Sequence, residues 1–198
     1  MNNLERRILE ISYKYKLSHI GSCITAVNII DEIYSIKEED ELFCLSNSHA
    51  FLALAVVLEK YYKLNSEELY KKHGTHANRN LDDKIFVSGG SLGHVMPISI
   101  GIALSNRKKN VYCLLSDGEM SEGSIWEGLR ICDELKLYNL KLYCNGNGWG
   151  AYKKINLNKL EKQISGFNFP IKLIKTKINI PQLKGLKGHY IILNEEIR

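Results

Sequence analysis

The chain has 198 residues, of which 44% are hydrophobic and 25% are charged, and it carries a formal net charge of +5. These values are ordinary for a folded globular domain, and they exclude disordered and fibrous classes. The positive charge comes from scattered lysines without a run of like charges, so the sequence predicts a solvated basic surface and no nucleic-acid partner.

The cysteines are widely spaced and include no Cys-x-x-Cys pair, so we expect reduced core residues. There are five of them: Cys23, Cys44, Cys113, Cys132 and Cys144. The start of the chain lacks an apolar signal sequence, and no run of apolar residues is long enough to cross a membrane. The sequence therefore predicts a cytoplasmic protein without membrane contact.

Apolar residues at helical spacing predict an amphipathic helix from Leu4 to Leu17 and a second helix from about Thr25 to Ser35. A short strand is expected from Leu42 to Leu45. The next helix, from Ala50 to Tyr62, is apolar on nearly all sides, and we therefore expect it to be buried.

Residues 71–84 are polar and lack periodicity, which predicts a loop. A brief strand is expected at 85–88, and the glycine-rich segment 89–97 leads through a tight turn into an apolar helix. Pro97 suits the first turn of that helix, because a missing amide proton costs little there.

The clearest unit lies in the middle of the chain. A continuous apolar strand at 110–116 is followed by a turn, a helix from Ile125 to Leu135 and a second buried strand at 139–144. Two apolar strands separated by a helix of this length indicate a right-handed β-α-β crossover in a parallel sheet.

The last part of the chain offers one more helix at 156–165 and one more strand at 171–176. Together with the crossover, these elements predict an α/β fold with a mostly parallel sheet and helices on both faces. The sequence contains no internal repeat or linker, so we expect residues 1–198 to form one domain.

Polar residues follow both strands of the crossover, at the edge where parallel α/β sheets bind ligands. Asp117 follows the first strand, and the turn 145–150 with Asn147 follows the second. If the strands are neighbours, the two side chains offer the hard oxygen ligands that Mg²⁺ or Ca²⁺ accepts. Such a sparse site normally shares the ion with phosphates, which the Gly118 amide and the helix beginning near Glu122 would face. The pattern predicts a metal-bridged diphosphate.

Aspartate also caps helices and asparagine also supports turns, and on spacing alone these structural roles are the more frequent ones. The wider sequence favours the ligand role. Residues 114–150 resemble the thiamine-diphosphate motif, which begins Gly-Asp-Gly and ends Asn-Asn or Asn-Gly; here Asn147 follows Asp117 by 30 residues. The specific resemblance is to the transketolase family. Further motifs match in the family's order: SHIGSC to Ser-Gly-His-Pro-Gly-Gly, LSNSHA to Leu-Ser-Lys-Gly-His-Ala, HGTHANRN to His-Pro-Asp-Arg-Asn, and SGGSLGH to Thr-Gly-Ser-Leu-Gly-Gln.

The resemblance implies a thiamine-diphosphate-binding fold, with thiamine diphosphate and Mg²⁺ (or Ca²⁺) as cofactors. Taken position by position, it implies that Asp117, Asn147 and the carbonyl of Trp149 hold the ion. It also implies that the cofactor is contacted by residues from several motifs: His49, Gly90, Ser91, Leu92, Gly118, Glu119 and Asn147. The glycine-rich turn would lie against the cofactor's rings, where glycine permits close backbone approach.

The resemblance also implies three catalytic histidines. His19 and His76 match family histidines that line the channel in which the donor sugar meets the cofactor, and His189 resembles a late histidine that reaches the active centre. Taken singly, each would more often be a structural or surface histidine. Glu122 and Glu127 match glutamates that the family places near its dimer interface, and their alternative role is that of first-turn helix acids favoured by the dipole.

The chain departs from the family's pattern in several places. It matches only the amino-terminal, diphosphate-binding part, shortened by about one β-α unit at its C-terminal end. By the resemblance, we expect the chain to lack the pyrimidine-binding domain, whose glutamate activates the cofactor in the family. Ser116 stands where glycine is usual, and His94 stands where glutamine is usual. We therefore expect this chain to be one subunit of a split enzyme and to be inactive alone. A partner subunit would supply the missing domain, and the assembly would be a dimer of heterodimers, which is a heterotetramer.

The function implied is transfer of a two-carbon ketol unit between sugars, including phosphorylated or nucleotide-linked sugars of a specialised carbohydrate biosynthesis pathway. Two alternatives stay open. The first is one subunit of a 2-keto acid decarboxylase or synthase with the same cofactor. The second is a non-catalytic scaffold subunit, although a scaffold has no physical need for ion ligands.

Overall fold

The computed structural model of the protein describes residues 1–150 and 153–178. The motif containing His189 lies outside the described residues. The helices and strands are α1 Asn3–Tyr15, α2 Ile20–Ile36, β1 Leu42–Leu45, α3 Phe51–Tyr62, α4 Ser66–His73, α5 Val95–Ser105, β2 Val111–Ser116, α6 Gly123–Glu134, β3 Leu140–Gly146, α7 Leu157–Ile164 and β4 Ile171–Lys175. Short 3₁₀ turns at Ser48–Ala50 and Glu119–Ser121 follow β1 and β2.

Within the described residues, four strands form one parallel sheet in the order β1-β2-β3-β4. Strands β2 and β3 are neighbours, and α6 connects them. Ser116 at the end of β2 lies opposite Asn145 of β3. The predicted β-α-β unit is therefore confirmed, and the turns that follow its two strands emerge side by side at the carboxyl edge of the sheet.

Helices cover both faces of the sheet, as the sequence predicted. The side chains of β2 alternate between two cores, which is the pattern of a strand buried on both faces. Tyr112 and Leu114 pack with α1, α2 and α3, whereas Val111, Cys113 and Leu115 pack with α5, α6 and α7. The α/β fold class is confirmed.

Several local predictions also agree with the structure. The bounds of β1 are those predicted, and Phe51 to Leu58 of α3 are all buried. Pro97 is the third residue of α5, within its first turn. All five cysteines are free and buried. Over residues 1–150 and 153–178, no helix is both long and apolar enough to cross a bilayer.

The predicted start of the second helix was wrong. Helix α2 begins at Ile20, five residues before Thr25. Gly21 and Ser22 weaken a helix locally, but every residue from Ile20 to Val27 is buried, and α2 packs on α3. Tertiary packing therefore outweighs local propensity here, and it places the start of a helix beside the carboxyl edge of the sheet.

The prediction of a loop at 71–84 and a strand at 85–88 was also wrong in part. Helix α4 extends to His73, and its N-cap Asn65 accepts hydrogen bonds from the Glu67 and Glu68 amides. In the described structure, residues 85–88 form no strand, and Ile85 makes only an isolated antiparallel bridge. An apolar run of four residues without a neighbouring strand edge does not extend a sheet.

Candidate functional site

The carboxyl ends of β1, β2 and β3 open into one pocket of about 160 Å³. Its walls come from the start of α2, the 3₁₀ turn after β1, the glycine-rich turn before α5, and the turns after β2 and β3. The lining residues are His19, Ser22, His49, Gly90, Leu92, Ser116, Asp117, Gly118, Asn147 and Trp149. The fold thus brings together most of the residues that the sequence assigned to a metal, a cofactor or a substrate.

Asp117 lies in the pocket wall with only 1% of its surface exposed. Its Oδ2 accepts a 2.6 Å hydrogen bond from the Gly148 amide, which connects the turns after β2 and β3. Its Oδ1 is buried, and no group of the described residues bonds to it. Burial raises the pKa of Asp117 to about 6, against the opposing effect of main-chain amides, first that of Gly148 and then those of Gly118, Asp117 itself and Trp149. A buried oxygen without a donor is costly unless a ligand or cation satisfies it.

The structural roles that were the alternative to ion binding, a helix cap for Asp117 and turn support for Asn147, apply only to Asn147. Asp117 caps none of the described helices, since Gly118 precedes the 3₁₀ turn and Glu122 is the N-cap residue of α6. Asn147 does support its turn, because its Oδ1 accepts a 2.9 Å hydrogen bond from the Trp149 amide. The turn is tight, with Gly148 at φ 83°.

The donor set around the pocket fits a divalent ion that is shared with a ligand. The described residues contain no cluster of three or more His, Cys, Asp or Glu side chains able to hold a metal. The pocket instead offers the unpartnered oxygen of Asp117 together with Asn147 and the main chain at Trp149. Oxygen donors in this small number suit Mg²⁺ that is also bound to substrate or cofactor phosphates.

The glycine-rich turn forms the facing wall. Gly90 and Gly93 have φ values of 135° and 74°, a region that strongly favours glycine. Gly90 and Leu92 line the pocket, whereas Ser91 between them is exposed and is not among the lining residues. The turn therefore presents main chain and one apolar side chain to a ligand.

Two histidines lie together in the pocket. His19 precedes α2 with φ 61°, and its Nδ1 is 2.9 Å from the Ser18 hydroxyl. The rings of His19 and His49 are 5.4 Å apart between centroids. The early start of α2 also brings Ser22 into the wall. Ser22 was not predicted from the sequence, although it stands in the same motif as His19.

His76 lies beside the pocket and not among its lining residues. It is exposed, and its Nδ1 is 2.9 Å from the Ser48 hydroxyl. A Cβ atom built on Gly90 would lie 3.8 Å from the His76 Cβ, so His76 is adjacent to the glycine-rich wall. The third predicted histidine, His189, falls outside the described residues.

The three predicted glutamates that follow β2 lie in different environments: Glu119 in the 3₁₀ turn, Glu122 at the N-cap of α6 and Glu127 within α6. Glu119 is fully buried, and its carboxylate contacts Ser46, Gly93 and Ser116 and is not one of the lining groups. Burial raises the pKa of Glu119, and the hydrogen bond from the Ser46 hydroxyl opposes this effect. Glu122 is half-buried. Glu127 is exposed and pairs with Arg130 at 2.6 Å.

No protein-family model matches the chain. Among curated proteins, it is 28% identical over 158 residues to an apulose-4-phosphate transketolase subunit of Phocaeicola vulgatus, covering 68% of this chain and 55% of that protein. It is 25% identical over 198 residues to a 6-deoxy-6-sulfo-D-fructose transketolase subunit of a Clostridium species, covering 87% of this chain and 72% of that protein. The chain therefore spans about half the length of the apulose relative.

Solved structures agree with these relatives. The crystal structure of transketolase from Campylobacter jejuni matches with a TM-score of 0.74 and 20% identity, over 98% of this chain and 40% of that chain. At this identity the likeness establishes the fold. Together with the named relatives, it confirms the resemblance to the transketolase family that the motifs implied.

Proposed function

We propose that this relative of transketolase subunits is the diphosphate-binding subunit of a split, thiamine-diphosphate-dependent transferase. In complex with a partner subunit, it transfers a two-carbon ketol unit between sugars. The relatives support this proposal, because two of them are named as transketolase subunits and not as complete enzymes. The pocket supports it independently, through the chemistry of the residues that line it.

The observation that carries the proposal is the unpartnered, buried Oδ1 of Asp117. Asn147 and Trp149 stand in the same wall, and Gly118 follows Asp117 with an amide that suits a phosphate oxygen. A cation shared between the carboxylate and a diphosphate would satisfy the unpartnered oxygen of Asp117 and would neutralise part of the diphosphate charge.

Each wall of the pocket then has a role in binding. Asp117, Asn147 and the carbonyl of Trp149 would hold Mg²⁺ (or Ca²⁺), and Gly118 and His49 would contact the diphosphate. The glycine-rich turn at 90–92 would lie against the rings of the cofactor. Thiamine diphosphate, when bound, supplies the electron sink for breaking and making a bond next to a carbonyl group.

The histidines would act on the sugar. The Ser18 hydroxyl bonds to Nδ1 of His19 and the Ser48 hydroxyl bonds to Nδ1 of His76, so a hydrogen bond orients each ring, that of His19 in the pocket and that of His76 beside it. An imidazole oriented in this way exchanges hydrogen bonds with the hydroxyl and carbonyl oxygens of a sugar and can accept or donate a proton there. We include His189 in this group on the resemblance alone.

The partner subunit would carry a pyrimidine-binding domain and would close the open side of the pocket. We propose a dimer of heterodimers, in which each active site lies between one subunit of each kind. The single domain proposed for residues 1–198 contributes the metal and diphosphate half of that site. Size-exclusion chromatography with light scattering on the co-expressed subunits tests this assembly, and a 1:1 mixture that stays as monomers contradicts it.

Isothermal titration calorimetry tests the binding proposal. Thiamine diphosphate with Mg²⁺ is titrated into the chain alone and into the reconstituted complex, and we expect saturable binding to the complex. Asp117→Ala should abolish it. His73→Ala is a matched control, because His73 lies on α4 and pairs with Asp83 away from the pocket. Binding that is absent from the wild-type complex, or unchanged in Asp117→Ala, would refute the proposal.

Product analysis tests the reaction itself. Ketose donors, including phosphorylated ketoses, and 2-keto acids are supplied separately to the loaded complex with an aldehyde acceptor. Transfer of a two-carbon unit from the ketoses alone supports the transketolase reaction. Release of CO₂ from the keto acids without use of ketoses would replace it with a decarboxylase or synthase reaction on the same cofactor.

A further inference from the structure

Glu119 joins three segments of the chain behind the pocket. Its Oε1 accepts hydrogen bonds from the Ser46 hydroxyl at 2.6 Å and from the Gly93 amide at 3.1 Å. Its Oε2 accepts one from the Ser116 amide at 3.0 Å. The side chain has no exposed surface. A single buried carboxylate therefore connects the end of β1, the glycine-rich turn and the end of β2.

The glycine-rich turn is held from both sides at Gly93. Glu119 accepts from its amide, and the Ser124 hydroxyl donates to its carbonyl oxygen at 2.8 Å. Gly93 has φ 74°, and a Cβ atom there would lie 2.5 Å from the Ser124 Oγ. The turn therefore has little freedom to shift as a unit without breaking one of these contacts.

Ser116 adds a side-chain contact to the Glu119 carboxylate. It stands where the thiamine-diphosphate motif of the transketolase family has its first glycine. Its hydroxyl lies 3.4 Å from Oε2 of Glu119 and accepts a hydrogen bond from the Glu119 amide at 3.3 Å. Because Ser116 also lines the pocket, the same residue belongs to the wall and to the group that supports it.

We propose that Glu119 is a positioning residue that fixes the glycine-rich turn against the carboxyl ends of β1 and β2. It thereby sets the distance between the wall formed by Gly90 and Leu92 and the wall formed by Asp117 and Gly118. This role replaces the direct cofactor contact that the resemblance implied for Glu119. The identity of the ligand rests on the proposed function, whereas the connection itself is a property of the chain alone.

The connection between the three segments requires a carboxylate at position 119 and not simply a side chain of this size. The amides of Gly93 and Ser116 bond to different oxygens of Glu119, so both oxygens must accept. A glutamine has one acceptor oxygen, and its NH₂ group would face one of the two amides. Glu119→Gln therefore breaks one side of the connection while the shape of the side chain is conserved.

Hydrogen–deuterium exchange of the full chain tests the connection without any ligand. We expect Glu119→Gln to accelerate exchange in residues 88–94 by about tenfold or more and to leave α1 and α3 unchanged. Glu59→Gln is the control for removal of a carboxylate elsewhere in the chain. Glu59 on α3 also accepts from a serine hydroxyl and a main-chain amide, both of Ser66, and it pairs with Arg7 of α1 at 3.1 Å, but it is not a lining residue of the pocket. We therefore expect Glu59→Gln to change exchange around α1, α3 and Ser66 and to leave residues 88–94 as they are in the wild type. Unchanged exchange at 88–94 in Glu119→Gln overturns the inference.

Calorimetry on the reconstituted complex separates positioning from support of the fold alone. We expect Glu119→Gln to weaken binding of thiamine diphosphate with Mg²⁺ by about tenfold and Glu59→Gln to leave the Kd unchanged. If Glu119→Gln exchanged faster at 88–94 but bound thiamine diphosphate with the same Kd as Glu59→Gln, the positioning role would be wrong. A wild-type complex that binds no thiamine diphosphate would overturn the proposed function instead, and the exchange measurement would still decide on the connection.

A second variant covers the case in which Glu119→Gln does not fold. Ser46→Ala removes one donor from Oε1 and leaves both main-chain amides in place. We expect the same direction of change in exchange at 88–94, with a smaller amplitude. Exchange identical to that of the wild type in Ser46→Ala would count against the connection.

Discussion

The amide of Gly148 donates a 2.6 Å hydrogen bond to Oδ2 of Asp117, while Oδ1 of the same carboxylate has no partner among the described residues. One oxygen therefore orders the turn after β3 against the turn after β2, and the other is available to a ligand. For this residue, a structural role and a ligand role are compatible. The two roles also predict different results for different substitutions.

Asp117→Asn separates the two roles. Asparagine retains an acceptor oxygen for the Gly148 amide but removes the charge that a divalent ion needs. We expect the variant to fold with an unfolding free energy equal to that of the wild type or about 1 kcal/mol higher, because a half-paired buried charge is removed. Binding of thiamine diphosphate with Mg²⁺ to the complex should weaken by about 100-fold or more.

Urea unfolding of the chain and calorimetry of the complex measure the two effects of Asp117→Asn. Asp133→Asn is a suitable control, because Asp133 bonds to Lys136 and to the Asn168 amide outside the pocket. Equal affinity in Asp117→Asn and the wild type would exclude a metal at this carboxylate. A loss of stability without a loss of affinity would assign the residue to the turn alone.

Ser48→Ala is expected to affect catalysis through His76. The Ser48 hydroxyl is 2.9 Å from Nδ1 of His76, and without it the ring loses a fixed orientation beside Gly90. We expect kcat/KM for the ketose donor to fall about three- to tenfold, while the Kd for thiamine diphosphate stays unchanged. ¹⁵N chemical shifts of the imidazole in the chain alone should report the loss of the Nδ1 hydrogen bond.

A double-mutant cycle gives the control for this prediction. In a His76→Ala background, Ser48→Ala should have no further effect on kcat/KM, since the residue through which it acts is gone. Independent, multiplicative losses from the two substitutions would show that Ser48 does not act through His76.

The sequence was sufficient to predict the sheet edge at which the pocket forms. The apolar strands on either side of α6 identify a parallel crossover, and the register of Ser116 with Asn145 then brings Asp117 and Asn147 together. These features follow from strand-length apolar runs, whose burial leaves few alternatives.

The remaining features depend on contacts between segments that are far apart in sequence. The carboxylate of Glu119 is buried because Ser46 and Gly93 provide donors for it, and no periodicity in a turn gives the direction of a side chain. Ser22 reaches the pocket because burial extends α2 back to Ile20. In contrast, helix α4 could have been predicted from the N-cap Asn65 and the charges that complement its dipole.

Two glycines of the α5 region should respond to alanine in opposite ways. At Gly93, which has φ 74°, a Cβ atom would lie 2.5 Å from the Ser124 Oγ and 2.7 Å from the Glu122 Cβ. At Gly101, in the exposed part of α5, a Cβ atom would meet no atom within 4 Å. We expect Gly93→Ala to lower the unfolding free energy by about 1–3 kcal/mol and Gly101→Ala to raise it by about 0.5–1 kcal/mol.

Urea unfolding of the full chain measures both alanine variants under one set of conditions. Gly93→Ala should also weaken binding of thiamine diphosphate to the complex, because the turn that it distorts forms a wall of the pocket. Gly101→Ala should leave that affinity unchanged. The same sign of stability change in both variants would contradict the conformational argument.

The buried cysteines should make the fold less stable in alkaline solution. Burial raises the pKa of Cys23 to about 12 and that of Cys44 to about 11. In the unfolded chain the same thiols ionise near their ordinary pKa of about 8.5. Between the two values the unfolded state has lost protons that the folded state retains. The unfolding free energy should therefore fall by about 1.4 kcal/mol per pH unit for each such thiol above roughly pH 9, and not below pH 8.

Cys23→Ala isolates this effect from the lysines and tyrosines that titrate in the same range. Cys23 is buried against α3, so the substitution should lower the unfolding free energy at pH 7 by roughly 1 kcal/mol, but it should also reduce the alkaline slope by about 1.4 kcal/mol per pH unit. Urea unfolding at pH 7, 9 and 10 gives both values. If the unfolding free energy fell with pH equally steeply in Cys23→Ala and in the wild type, the thiol of Cys23 would ionise equally in the folded and unfolded states. Rapid reaction of the native wild-type chain, but not of Cys23→Ala, with a disulfide reagent at pH 8 would point to the same conclusion.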